Sequence, residues 1–398
     1  MFRTKKQCLR VSRRFILGPM HPRAAADLLK SWALEAGFDR AGVADLAPLE
    51  HGEALVRWLE RGDQAGMEYL GRRLETRLDP SQVFPGARSV LCVALQYHPL
   101  YKEDGERQPE PSGDLWRRVA RYARGKDYHD VMGARLQALE DRIREAFPGC
   151  ETRRYVDTGP VLERELAARA GMGAVGKNTM LLHPEGGSWF LLGEIFLSLD
   201  LAPDRSFIDL CGSCTRCLDA CPTGALAEPY RLDSNRCISY WTIEHRGPLP
   251  PEARRMVGGW VFGCDVCQEV CPWNAEPAGA THPEMELPPE RGELTLARLL
   301  GLSREEYVER FRGSPMKRAR LAGLQRNAAV AMGNRRESRH VVPLVEALRK
   351  GEPTVRGHAA WALGRIGGEE ALAALEAALA AERDAGVLDE IRTALAAD

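Results

Sequence analysis

Cys211, Cys214, Cys217 and Cys221-Pro222 form a C-x2-C-x2-C-x3-C-P run, and Cys264, Cys267 and Cys271-Pro272 repeat its second half. This is the bacterial ferredoxin spacing for two [4Fe-4S] clusters, in which the last cysteine of each run ligates the other run's cluster. Cys211, Cys214, Cys217 and Cys271 then complete one cluster. Cys264, Cys267 and Cys221 are one thiolate short, because Val261 stands where a first cysteine belongs. Cys237, between the runs, is the replacement. A disulfide framework is disfavoured in a long chain without a secretory signal, and zinc sites use separated pairs instead of a triplet plus a cysteine before proline. The spacing therefore points to electron transfer.

The chain has 398 residues, 44% of them hydrophobic, enough for a full core and two or three domains. A net charge of -1 shows no global basicity, so a nucleic-acid surface has to be local. Cys8, Cys92 and Cys150 remain after the eight assigned cysteines. An odd remainder argues against bridges, and clusters with free thiols point to a reducing cytoplasm. No stretch approaches ~20 apolar residues, so no membrane span is expected. Val11-Ser12-Arg13-Arg14-Phe15-Ile16-Leu17 resembles a twin-arginine export signal. However, Phe15 follows the arginine pair directly, and Gly18-Pro19-Met20-His21-Pro22-Arg23 replaces the apolar region that a signal needs. Residues 1–19 read as a non-native or disordered extension, with Met20 the functional start.

Residues 20–205 alternate helical and strand-like patterns, as in an α/β or α+β domain. A periodic helix starts near Ala24 and stops at Gly37. Ser89 to Leu95 reads as a buried strand, Val131 to Phe147 as an amphipathic helix, Pro160 to Ala170 as a helix and Trp189 to Leu199 as a core strand. Residues 206–290 form a loop-rich cluster segment held by metal, with Pro283, Pro288 and Pro289 marking a linker. Residues 291–398 are a helical tail. Asn327-Ala328-Ala329-Val330-Ala331-Met332-Gly333 recurs 31 positions later as His358-Ala359-Ala360-Trp361-Ala362-Leu363-Gly364, with a third copy toward Ala394-Leu395. This pattern fits short HEAT-type repeats, or a plain Ala-rich bundle. Lys317, Arg318, Arg320, Arg326, Arg335 and Arg336 concentrate basic charge at the front of the tail. Such a patch suits a phosphate backbone, or is an ordinary solvated face.

Gly171-Met172-Gly173-Ala174-Val175-Gly176 matches G-x-G-x-x-G, but a helix precedes it and Lys177 to Leu182 reads as strand, the reverse of a dinucleotide site. Asp127-Tyr128-His129-Asp130-Val131-Met132-Gly133 nearly matches the D-x-H-x-x-G motif of some cobalamin enzymes, with its glycine one place late. A capping Asp and a polar His ahead of a helix account for it. Asp157, in Tyr155-Val156-Asp157-Thr158-Gly159-Pro160, either caps the next helix or is a general acid, if burial raises its pKa toward working pH.

Taken together, several segments resemble the epoxyqueuosine reductase family, cobalamin and iron-sulfur enzymes of tRNA modification. They are Val156 to Glu163, Gly173 to Thr179, Gly187 to Ile195, Cys211 to Cys217, Cys237 to Glu244 and Gly263 to Asn274. The resemblance spans roughly residues 20–398. It implies a cobalamin-binding α/β domain, a ferredoxin-like domain with two [4Fe-4S] clusters, and HEAT-like repeats that bind tRNA. The implied reaction reduces epoxyqueuosine to queuosine at the wobble position of tRNA, the last step of queuosine biosynthesis, with base-off cobalamin. By position, Asp157 is the proton donor, and Arg77, Lys177, Asn178 and Ser239 fall in cobalamin-lining segments. The implied partners are the anticodon stem-loop of tRNA and an external electron donor such as a flavodoxin or ferredoxin system, with the protein a monomer. Two alternatives stand beside this reading: a reductive dehalogenase-like enzyme of small molecules, and a ferredoxin-type carrier without catalysis.

Overall fold

Ser89–Gln96 is buried along its whole length, and its two faces organise the first domain. The computed structural model describes residues 20–97, 113–276 and 282–396; the expected extension at residues 1–19 lies outside them. In chain order the first domain runs α1 (Pro22–Glu35), β1 (Arg40–Ala44), α2 (Gly52–Glu60), α3 (Leu74–Leu78), β2 (Ser89–Gln96), α4 (Tyr128–Ala146), β3 (Thr152–Tyr155), α5 (Glu163–Arg169), β4 (Ala174–Val175), β5 (Leu181–Leu182) and β6 (Phe190–Leu197). Leu91, Val93 and Leu95 enter a core with Leu29 of α1 and Met132 and Leu136 of α4. Val90, Cys92 and Ala94 enter another core with Leu166 and Ala167 of α5.

An unbroken apolar run buried on both faces is usual for a parallel strand, which is why the sequence reads as α/β. The sheet instead has the order β1-β2-β6-β3 with every pairing antiparallel. The domain is therefore α+β, and helices cover both faces without parallel crossovers.

The tail stacks the helices Arg320–Arg335, Pro353–Ile366 and Ala385–Leu395, with Val341–Lys350 and Glu369–Ala381 behind them. The recurring small residues permit close approach. A Cβ on Gly333 would lie 2.7 Å from Trp361 and 2.8 Å from Ala362, and one on Gly364 would lie 2.7 Å from Ala394. The tail core also takes in Leu115, Trp116, Val119 and Ala123 from the first segment and Val261 and Phe262 from the cluster segment. Among the described residues, no helix is long and apolar enough to cross a membrane.

This shared core corrects two of the basic residues expected at a phosphate surface. Arg326 is buried, 1% exposed. Its guanidinium donates to the carbonyls of Trp241 (2.9 Å), His245 (3.2 Å) and Gly247 (2.7 Å) and to Asn327 Oδ1. Asn327 in turn donates to the carbonyls of Thr242 and Val261, each at 2.8 Å. The irregular turn before the repeats leaves carbonyls that need donors, and Arg326 supplies them from the first repeat helix. Arg335 is half-buried and holds Asp114, donating to its carbonyl at 2.9 Å.

Arg326→Met should therefore act on stability and leave the salt dependence of nucleic-acid binding unchanged. Stranding three carbonyls should cost roughly 2–4 kcal/mol, read as a thermal midpoint lowered by about 2–5 °C. A variant with parental stability and a shallower salt slope would return Arg326 to the surface patch.

Candidate active site

The cysteine thiols gather into two groups of four. Burial raises Cys271, and the neighbouring Cys211, Cys217 and Cys214 act on it. Cys217 is raised in the same way, with Cys211 and Cys214 beside it. In the second group, burial pushes Cys264 to about 12, with Cys237 and Cys221 as its thiol neighbours. Cys267 is raised by burial and faces Cys264, Cys237 and Cys221. Cys237 thus sits with Cys221, Cys264 and Cys267, the group one cysteine short by spacing.

Backbone amides converge on these sulfurs. Burial alone would raise Cys221, yet the N–H groups of Leu226, Thr223 and Ala225 and the Thr223 hydroxyl bring it below the usual thiol range. Burial dominates at Cys237, where amides of Tyr240 and Ser239 and the Ser239 hydroxyl bond the sulfur. Thiols solvated by fixed amides suit cluster thiolates, whose potentials such bonds tune. A cubane spreads its four thiolates over four irons.

The glycine run that mimics a dinucleotide motif forms a hairpin. β4 and β5 pair antiparallel, and a Cβ on Gly173 would lie 2.2 Å from the Leu182 carbonyl. Lys177 to Met180, expected as strand, form its turn, and three consecutive residues reach three places. The Lys177 amide donates to Cys211 Sγ (3.4 Å), and its ammonium donates to the carbonyls of Gly212 (2.6 Å) and Cys214 (3.0 Å). Asn178 Nδ2 donates to the Cys267 carbonyl at 3.2 Å. The Thr179 carbonyl accepts from Arg164 at 2.5 Å. Lys177 and Ser239, both expected to line a cofactor, are thus engaged by the first and second thiol groups.

Asp157 lies beyond this turn. It does not cap α5, whose N-cap is Leu162 with no side-chain bond. Its backbone is left-handed, φ 59, uncommon for a residue other than glycine. Its amide donates to Glu163 Oε1 at 2.5 Å. The side chain is 60% exposed and yet ringed by polar groups, as at the floor of an open cleft. Tyr128 Oη donates to Asp157 Oδ2 at 2.9 Å, and His129 Nε2 stands 3.5 Å from the same oxygen. Arg77 donates to the Gly159 carbonyl at 3.4 Å. Arg164 acts on both Asp157 and Cys267, so its charge lies between the cleft and the second thiol group.

The expected rise in the Asp157 pKa is reversed. The His129 ring, 3.5 Å away, outweighs burial and, with Tyr128 and Arg164, holds the carboxyl below the usual range. Burial would lower His129, but the bond to Asp127 and the nearby Asp157 carboxylate raise it to about 9. Asp127 caps α4 through the His129 amide and also binds the His129 ring at 2.7 Å. Asp127 is a helix cap, and the two residues after it, Tyr128 and His129, reach Asp157.

The basic rim is assembled from several segments. Lys317 pairs with Asp127 at 2.8 Å. Arg318 binds Glu244 through two bonds, 2.9 and 2.7 Å, and lies 5.8 Å over Tyr69, which itself feels Asp157. Around Tyr307, Lys317 and Arg320 are joined by Arg246 and Arg304. These last two are missed in sequence because they fall outside the basic run. Arg336 is exposed and belongs to a different group, with Arg365 and Arg255.

Three family models match the chain: "4Fe-4S double cluster binding domain" over residues 210–274, "Epoxyqueuosine reductase QueG, DUF1730" over 77–158 and "HEAT repeats" over 318–396. The chain is 40% identical over 358 residues to the epoxyqueuosine reductase of Pseudomonas aeruginosa, covering 88% of this chain and 97% of that one. It is 35% identical over 346 residues to the Escherichia coli enzyme, covering 87% and 90%. Among solved structures, an epoxyqueuosine reductase with an epoxyqueuosine-modified tRNA-Tyr stem loop aligns with a TM-score of 0.85 at 35% identity, over 94% of this chain and 98% of that one. A Bacillus subtilis epoxyqueuosine reductase with its catalytic aspartate loop swung out of the active site aligns with a TM-score of 0.84 at 34% identity, over 94% and 98%.

Cys237→Ala should lose about four of about eight irons, the other group's visible absorption surviving. Cys150→Ala should change neither, since that thiol stands apart beside the Glu151 carbonyl. Full iron in the Cys237 variant would remove it from the second group.

Proposed function

The chain belongs to the epoxyqueuosine reductase family, and from that membership we propose that it reduces epoxyqueuosine to queuosine at the wobble position of tRNA in the cytoplasm, with Asp157 delivering a proton to the departing oxygen. The observation that carries the assignment of Asp157 is its exposed place 3.5 Å from His129, with the Arg164 charge acting on both it and Cys267 of the second thiol group. Epoxide to alkene takes up two electrons and two protons and releases water. When bound, two [4Fe-4S] clusters and base-off cobalamin supply the single electrons and the reduced cobalt that breaks the carbon–oxygen bond. Cys211, Cys214, Cys217 and Cys271 would hold one cluster, and Cys221, Cys237, Cys264 and Cys267 the other. The cleft floored by Asp157 and Tyr128, with Arg77 and Asn178 nearby, would hold the corrin.

The remaining work belongs to side chains of this chain. His129 holds a proton at neutral pH and Asp157 does not, so Asp157 is a relay. It accepts from His129 Nε2 and passes the proton to the oxygen, with Tyr128 fixing the carboxylate's orientation. Lys317, Arg318 and Arg320 lie on the side from which the anticodon stem-loop enters, contacting phosphates and setting register without reading sequence. The exposed Cys211 loop is where an external reductant such as a flavodoxin or ferredoxin would dock. A small-molecule substrate would leave this rim without a purpose.

Anaerobic incubation with tRNA carrying epoxyqueuosine, followed by nucleoside mass analysis, tests the reaction directly. Asp157→Asn should keep the clusters and tRNA affinity and lower the single-turnover rate by roughly 10²-fold or more. A parental rate would remove Asp157 from the chemistry.

The His129 pKa is raised, so its proton is fully present well below pH 9 and lost as the pH passes about 9. The single-turnover rate should fall along that limb, and His129→Gln should be slow with the limb absent. An unchanged limb in that variant would place the proton elsewhere.

Lys317→Ala with Arg320→Ala should weaken tRNA binding and reduce the logarithmic salt slope by roughly 1–2, about one for each phosphate no longer neutralised. An unaltered slope would make the rim an ordinary solvated face.

A further inference from the structure

Beneath the Asp157 loop lies a second pair of acids that neither the thiol groups nor the proton relay uses. Glu194 sits in the middle of β6, opposite Cys92 of β2 and Tyr155 of β3, and its side chain is fully buried. It shares the sheet face of Leu192 and Phe196, the face covered by α5. No N–H or O–H of another described residue reaches either of its carboxyl oxygens; only the carboxyl of Glu163, the first residue of α5, meets it. The Glu163 carboxyl also accepts from the amide of Asp157. A fully buried carboxyl without a donor, set against a second, partly buried one, is stable only when the pair carries a proton, since an unpaired buried carboxylate is costly.

We propose that Glu194 and Glu163 share one proton, and that this proton holds the Asp157 loop in the cleft. The proton resides on Glu194, which has no access to solvent. Glu163, at the positive end of a helix, is the carboxylate that accepts from both Glu194 and the Asp157 amide. Asp157 would otherwise leave its left-handed backbone, because φ near +60 is intrinsically unfavourable for a residue with a Cβ. Loss of the shared proton sets two carboxylates against each other, displaces Glu163 and releases the loop.

The groups facing the pair do not provide a substitute for the proton. Cys92 is a buried thiol raised by burial and by Glu194 and Glu163. Asp157 is itself an acid, and Tyr128 across the cleft is held neutral by burial and by Asp157. Arg164 and Arg77 are cations that act on Glu163, whereas the leading influences on Glu194 are burial and the acids Glu163 and Asp157. Burial, then the adjacent charges, raises both glutamates, in line with a proton retained at neutral pH. Glu163 and Glu194 are positioning residues: they act on the reaction through Asp157.

This inference rests on Asp157 being the proton-delivering group only for its consequence in catalysis; the latch can be read without turnover. In the cluster-loaded protein, the infrared difference between parent and Glu194→Gln should show a protonated-carboxyl C=O band at pH 7 that the variant lacks. Hydrogen exchange of the Asp157 amide, corrected for the intrinsic pH effect, should lose about tenfold or more of its protection as the pH rises in the parent. Glu194→Gln, whose amide still donates to Glu163 and does not titrate, should hold its protection constant. Glu194→Leu should be unprotected at every pH. No carboxyl band at pH 7, or pH-independent protection in the parent, overturns the latch. Lost protection in Glu194→Leu with a parental single-turnover rate would leave the latch standing and count against Asp157 as the proton donor.

Discussion

Two groups of four thiols and one carboxylate, drawn from distant stretches of the chain, have to be held in register. The hairpin turn after β4 meets that constraint within three residues. Lys177 binds the loop of the first group, Asn178 binds the second, and Thr179 holds the arginine that faces Asp157. The turn is rigid because its strands are pressed together: a side chain on Gly173 or Gly176 would run into Leu182. These glycines exclude side chains so that backbone can approach backbone, a use unrelated to phosphate binding. Most of the site's geometry is inherited from this turn.

The charges in the cleft are arranged as alternating donors and acceptors, from Lys317 through Asp127 and His129 to Asp157. Each member fixes the protonation of the next. Asp127, held anionic by His129 and Lys317, makes His129 basic enough to stay charged, and His129 keeps Asp157 ionised. Lys317 belongs to the tail, so the basic rim is electrostatically continuous with His129 and Asp157. Neutralising rim charge with bound phosphate would weaken the hold on Asp127 and thereby shift the histidine. On the proposed function, substrate binding and proton supply would be coupled through this one ion-pair chain.

Much of the redox half was legible because metal ligation depends on spacing along the chain. The missing cysteine at Val261 pointed to Cys237 by count alone, and folding brings Cys237 beside Cys221, Cys264 and Cys267. The cleft was harder to read, because its parts are local motifs with ordinary explanations. Asp127 does cap a helix, and only the fold shows that His129, two residues on, faces Asp157 from another element. Charge gave the least reliable signal. Arg326 and Arg320 are indistinguishable in sequence, yet one is 1% exposed and spent on carbonyls, while the other faces solvent. The antiparallel sheet escaped for a similar reason, since burial on both faces erases the alternation that distinguishes sheet types.

The tail is more than a handle for nucleic acid. Trp116 donates to the Arg291 carbonyl at 2.8 Å, Arg254 of the cluster segment pairs with Glu390 of the last helix, and the Leu249 amide donates to His358 at 3.0 Å. The repeats therefore share one cooperative unit with the cluster segment and with the chain that leads into α4. A perturbation in the tail reaches the cleft through residues 113–127, whose last member is the capping Asp127. For that reason substitutions in the repeats report on tRNA binding cleanly only at exposed rim residues such as Arg320. At buried ones such as Arg326 they report first on whether the segment before α4, and with it the histidine, is in place.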